Sequence, residues 1–206
     1  LKKKNLLKKS IFAFNKSIQL DKNNFIAMNN LAISYKAISE MKKSEAMYMK
    51  CLRLKPNYIV AILNYANLKQ EINEFDESIK LYLKANRIQP ELNDIFIFFK
   101  LCNIYQIIGD KKKAKVYADK IIRKQPNNVS AHELMSKLTN AQEKKSHVIE
   151  MEKLIKNKSN ENEIADLAFS LGRSYDALKN YKIAFDYFNK GNEIRKKKIK
   201  YDSINF

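Results

Sequence analysis

The sequence predicts an all-α chain of antiparallel helix hairpins stacked one after another, and three observations carry that prediction. Only three glycines and three prolines occur in 206 residues, too few for a sheet-rich fold with many tight turns. Apolar side chains recur three or four positions apart, the spacing that gathers them on one helix face. The pattern that opens at Phe25 and closes near Tyr58 then starts again thirty-four residues later.

The elements follow in order. Residues 5–24 read as a partial first unit, the second half of a hairpin (Leu7, Ser10, Phe14, Ser17, Leu20) without its first helix. A lone amphipathic helix cannot bury its own face, so the chain is expected to be cut from a longer one. Repeat 25–58 places Leu31, Tyr35 and Ile38 on one helix. Ser39 and Glu40 interrupt, and Met41, Met47, Cys51 and Leu52 mark a second helix that Pro56 ends, because proline disfavours helical geometry in the residue before it. Repeat 59–92 carries Ile62, Tyr65, Ala66, Ser78, Tyr82, Ala85 and Pro90. Repeat 93–128 carries Phe98, Leu101, Cys102, Tyr105, Ala114, Ala118 and Pro126, with two residues inserted near Asn93 and Asp94. Its Gly109-Asp110 turn pairs a residue free to adopt positive φ with a helix cap. Residues 129–160 form a divergent helix pair (129–138 and 145–156) running into a polar loop. Residues 161–200 recover the pattern at Leu171, Gly172, Tyr175, Tyr181, Ala184, Phe188 and Gly191, with a basic last helix expected to run on through Arg195 to Ile199.

In repeat 25–58 the residues Met28, Leu31, Ala32, Tyr35, Ser44, Tyr48, Cys51 and Pro56 resemble the signature of the tetratricopeptide repeat, or TPR. Ser44 and Cys51 replace the usual alanine with other small residues, and Lys69 stands where the next repeat calls for an aromatic. The resemblance implies a right-handed superhelical solenoid, a TPR array over residues 1–128, whose first helices line a concave groove. Residues 167–195, with Ala184-Phe185 and Gly191-Asn192 and with Tyr201-Asp202 after them, are further similar to the final repeat of bacterial TPR-containing sulfotransferases. That likeness implies a C-terminal catalytic domain beyond Phe206, with this chain as its substrate-recruiting arm. The phosphosulfate-binding loop of that family is not in the 206 residues.

By the same resemblance, a protein or peptide segment is the expected partner. The candidate peptide-binding residues are Asn29, Asn30, Ile33 and Lys36, then Leu63, Asn64, Asn67 and Gln70, then Phe99, Lys100 and Asn103. An asparagine amide donates and accepts at once, so Asn30, Asn64, Asn67 and Asn103 suit an extended backbone. Ile33 and Phe96 stand where a chaperone-tail clamp requires an asparagine and a lysine, which argues against that partner.

The net charge of +18 would suit nucleic acid, yet no motif that reads it accompanies the lysine runs 111–113 and 196–198, so nucleic acid is not the expected partner. A Lys-, Asn- and Ile-rich composition also follows from AT-rich coding. No stretch is long and apolar enough for a membrane span. Cys51 and Cys102 sit in small-residue slots as reduced core thiols, which points to a cytoplasmic setting, and the sulfotransferase resemblance implies a bacterial one. No reaction centre emerges, so catalytic residues, cofactors and metal are all expected to be none. His132 and His147 lie fifteen apart on different helices without a cysteine or carboxylate cluster, and His132 reads as core.

Overall fold

A computed structural model describes residues 2–91 and 94–198. Asn93, Ile199 and the Tyr201-Asp202 pair lie outside the described residues. Every regular element among those described is α-helical: α1 (Lys2–Leu20), α2 (Phe25–Ala37), α3 (Met41–Leu54), α4 (Ile59–Glu71), α5 (Phe75–Ile88), α6 (Asp94–Ile107), α7 (Lys111–Lys124), α8 (Val129–Leu138), α9 (Ala141–Lys156), α10 (Glu161–Ala177) and α11 (Tyr181–Lys198). The chain forms two compact units, residues 1–104 and 105–206.

In the first unit α2 packs on α3 and α4 on α5, while α1 lies against α2 and α3 against α4. Leu31, Ala32, Tyr48, Cys51, Ile62, Ala66, Leu68 and Tyr82 are each at most 1% exposed. The serines in the alanine slots have a specific role. Ser44 Oγ donates to the Ala32 carbonyl at 2.8 Å, and thirty-four residues on Ser78 Oγ donates to the Ala66 carbonyl at 2.8 Å. Each hydroxyl thus pins a second helix to the first helix of its own hairpin while staying small enough for close approach. Burial pushes the Cys51 thiol up to about 11, so it remains protonated, and neither cysteine forms a disulfide.

The hairpin turns obey one backbone rule. Ser39, Asn73, Gly109 and Lys179 hold φ of 63°, 62°, 81° and 61° at equivalent positions between paired helices. Only Gly109 does so without steric cost. At the following helix start Asp110 accepts from the Lys113 backbone N–H, the cap that the sequence predicts. Asn24, Asn128, Asn140 and Asn160 cap α2, α8, α9 and α10 in the same way, so part of the asparagine content is structural. Asn140 forms a reciprocal capping box with Glu143, which is why α9 starts at Ala141 rather than at the expected Lys145.

In the second unit α8 packs on α7 and on α10, α9 packs on α10, and α10 pairs with α11. Val148, Met151, Leu154, Ile155, Leu167 and Leu171 form its core with Val129. Tyr175 and Tyr187 stack with centroids 5.8 Å apart, and both hydroxyls donate to Glu152 Oε1, at 2.7 and 3.0 Å. One carboxylate on α9 therefore ties down both helices of the last hairpin. Gly172 and Gly191 are the close-approach points of that hairpin. A Cβ at Gly172 would meet the Phe188 ring at 2.7 Å, and one at Gly191 would meet Phe169 at 2.9 Å.

Candidate functional site

The first helices of the first unit, α2, α4 and α6, present the residues that the sequence assigns to a groove. Large apolar side chains stay exposed at one matching position along them, Ile26 (52%) on α2, Val60 (49%) on α4 and Phe96 (42%) on α6, and Ile33 (42%) is exposed on the same face of α2 as Ile26. These same helices bury Leu31, Ile62 and Phe98 on their opposite faces. Apolar residues thus occur on both sides of each first helix, which is the pattern of a helix that packs inward and offers a second apolar stripe outward. Between α4 and α6 the surface sinks into a cleft of about 470 Å³ lined by Ile59, Val60, Leu63, Asn64, Asn67, Gln89 and Phe96.

The amides are partly engaged within the protein. Asn29 is 2% exposed and links helices rather than facing the open surface: its Nδ2 donates to Asn30 Oδ1, and its Oδ1 accepts from Asn64 Nδ2, both at 3.1 Å. Asn67 Nδ2 donates to the Leu63 carbonyl, while its Oδ1 accepts from the Tyr82 hydroxyl at 2.8 Å. The Tyr82 hydroxyl also lies 3.4 Å from Gln70 Oε1. The chain Asn30–Asn29–Asn64 therefore holds α2 to α4 and fixes the orientation of the amides at the cleft edge. Asn64 keeps its carbonyl oxygen and one amide hydrogen without a partner among the described residues. Asn103 is exposed, and Phe99 and Leu63 are half-buried.

Two lysines give this face its charge. Lys36 pairs with Glu71 at 2.7 Å. Lys100 lies over the Phe96 ring, 5.4 Å from its centroid, and has no carboxylate within ion-pair distance among the described residues. Burial, followed by repulsion from Lys36, holds its pKa below the ordinary lysine value. An ammonium in that state favours an incoming anion, because a carboxylate beside it would restore the lost stabilisation of the charge.

The sequence missed two arrangements. Lys69, unexplained in its aromatic slot, is 6% exposed and reaches Glu45 Oε1 and Glu74 Oε2, each at 2.5 Å, above the face of Tyr65. It fills the aromatic's place with its stem and neutralises its charge against two carboxylates, a structural role. The second concerns the histidines. Separate in the sequence reading, His132 on α8 and His147 on α9 are stacked in the structure with centroids 5.1 Å apart, and Glu150 joins them. His132 is buried as expected. The unread signal was the spacing of His147 and Glu150, three apart and so on one helix face.

The tetratricopeptide-repeat family profile matches residues 26–58 and 165–198. No curated protein matches the chain by sequence. Among solved structures, one similar fold is YrrB, described as a TPR protein with an unusual peptide-binding site, at 20% identity and a TM-score of 0.68 over 89% of this chain and 93% of that one. Another is BtubC from P. vanneervenii, at 14% identity and a TM-score of 0.70 over 96% and 91%. A third is residues 41 to the end of MamA from Desulfovibrio magneticus RS-1, at 12% identity and a TM-score of 0.69 over 84% and 96%. At these identities the likeness is one of fold.

Proposed function

We propose that this chain, whose residues 26–58 and 165–198 are tetratricopeptide repeats, is a non-catalytic scaffold that binds an extended protein segment along α2, α4 and α6. One observation carries the reading: Ile26, Val60 and Phe96 are exposed at matching positions on successive first helices, with Ile33 exposed on the same face of α2, beside pre-oriented amides and Lys100, which has no ion-pair partner among the described residues. An exposed apolar series rimmed by polar groups is the surface expected of a protein-interaction site. An apolar side chain of the partner would enter the cleft between Val60 and Phe96. Asn64, with an N–H and a carbonyl to spare, would meet the partner's backbone, and an acidic residue would neutralise Lys100. The peptide-binding description of YrrB lends the fold a precedent.

Selection from a phage-displayed random peptide library tests this, followed by fluorescence anisotropy on the enriched sequences. Enriched peptides should combine a large apolar residue with a nearby acid, and Val60→Asp and Lys100→Glu should each weaken binding at least tenfold. Val60 is half-exposed, so its substitution should leave stability within about 0.5 kcal/mol. Peptides indifferent to both variants would overturn the reading.

A second reading, the substrate-recruiting arm of a sulfotransferase, draws on the last helix. Tyr181 and Phe185 on α11 are 64% and 63% exposed, an apolar strip that a following catalytic domain would cover. The coding sequence downstream of Phe206 decides it: a phosphosulfate-binding loop would support the arm, and a stop codon would remove it.

A further inference from the structure

We infer that His132, His147 and Glu150 form a binding site for a divalent transition-metal ion of the zinc class. One potential ligand atom from each residue lies within 4.8 Å of the other two. Two of them, His147 and Glu150, are three apart on α9, and the third comes from α8, so the set spans two helices of one unit.

The hydrogen bonds around the two rings choose the tautomers. His132 Nε2 lies 2.7 Å from the Pro126 carbonyl, and His147 Nε2 lies 3.2 Å from the His132 carbonyl. A carbonyl only accepts, so both rings carry their proton on Nε2 and leave Nδ1 as a lone pair. A ligating histidine in a metal site commonly has its other nitrogen fixed by such a carbonyl. His132 Nδ1 is then an orphan: it is buried without a hydrogen-bond partner among the described residues, on a residue 3% exposed. Buried polar atoms left unpaired call for an explanation.

The third contact points the same way. His147 Nδ1 faces Glu150 Oε2 at 3.4 Å. With the proton on Nε2 these are two acceptors turned toward each other, an arrangement that a shared cation would stabilise. Zinc bonds of about 2.0–2.2 Å to nitrogen and oxygen require the ligand atoms, now within 4.8 Å of one another, to draw together and the stacked rings to turn until both Nδ1 lone pairs face one ion. Glu150, whose side chain is 62% exposed, has the freedom to move inward, and its exposure leaves an entry path and room for water in the remaining coordination. Two imidazoles and one carboxylate suit zinc, cobalt(II) or nickel(II) over magnesium or calcium.

The test is direct because these are the only two histidines in the chain. On the untagged chain of 206 residues, zinc is titrated while the ¹⁵N resonances of both imidazoles are recorded, with cobalt(II) absorption as a second readout and magnesium as a control. The site predicts one equivalent of zinc bound, Nδ1 resonances of both rings moving together, and a cobalt(II) spectrum of low coordination number. Glu150→Gln, exposed and so without consequence for folding, should weaken zinc binding at least tenfold, and His147→Gln should abolish it. Imidazole resonances unmoved by zinc would overturn the inference. So would zinc bound equally by the wild type and Glu150→Gln, or an Nδ1–H on His147, which would make the cluster a protonated histidine pair held by Glu150.

Discussion

Replacing Lys69 with methionine is the most informative test of how the first unit is held together. The substitution keeps the stem that fills the aromatic slot and removes the ammonium that Glu45 and Glu74 share. A fully buried ion pair broken on one side costs about 3–5 kcal/mol, whereas an exposed pair is worth about 0–1. Lys69 has a side chain only 7% exposed, but those of Glu45 and Glu74 are 28% and 49% exposed. The stranded carboxylates can therefore turn to water, and Glu45 keeps its bond from the Tyr65 hydroxyl. The loss should fall between those limits, at about 2 kcal/mol, or roughly 4–8 °C in a chain of this size. The assay is hydrogen exchange at α4 amides under increasing urea, which reads this unit alone, in a double-mutant cycle with Glu45→Gln. The pH dependence has a definite sign. Burial raises the Glu45 pKa, but the bonds from Lys69 and Tyr65 outweigh it and leave the folded value below the ordinary 4.5. Its contribution is thus full above pH 4.5 and lost as pH falls through the folded value. For Lys69 burial lowers the pKa, and the two carboxylates more than reverse that, so its share persists at neutral pH and fades only in strong alkali. A loss below about 0.5 kcal/mol at neutral pH, or a coupling unchanged in acid, would refute the reasoning.

Other outcomes follow from the packing. Lys179→Gly should stabilise the second unit by about 1 kcal/mol in urea unfolding, since it relieves a left-handed backbone at φ 61°. Gly172→Ala should destabilise by about 1–3 kcal/mol, because its Cβ would strike the body of the Phe188 ring, and Gly191→Ala should cost less, since Phe169 can yield at its tip. Leu31→Ala, at a residue 0% exposed, should cost roughly 2–5 kcal/mol by thermal melting. Asn64→Ala should lower stability by about 1 kcal/mol as well as weakening peptide binding, because it strands the buried Asn29 oxygen that now accepts from Asn64.

The helix hairpins were legible because their cause is periodic: Leu31, Ala32, Tyr48 and Cys51 recur in kind at Tyr65, Ala66, Tyr82 and Ala85, and a repeat needs no distant information to be read. Gly109 and Asp110 were legible for the same local reason. Ser39 and Lys179 were harder, since neither residue advertises a positive φ and only their place in the repeat imposes one. Lys69 defeated sequence reading because its two carboxylates come from α3 and from the start of α5, and nothing in one helix names a partner on another. The amides show the same limit. Their spacing placed Asn29 and Asn64 on first helices, but only packing revealed that they bond to each other. His132 and His147 met through the crossing of α8 and α9, a tertiary event without a sequence motif.

Mapping a library-selected peptide onto the ¹⁵N- and methyl-labelled chain by NMR tests the central claim most directly. The account predicts that shifts concentrate at the methyls of Ile26, Ile33 and Val60 and at the side-chain amides of Asn30, Asn64 and Asn103. Shifts gathered instead on the second helices, around Met49 and Leu54 of α3, would contradict it.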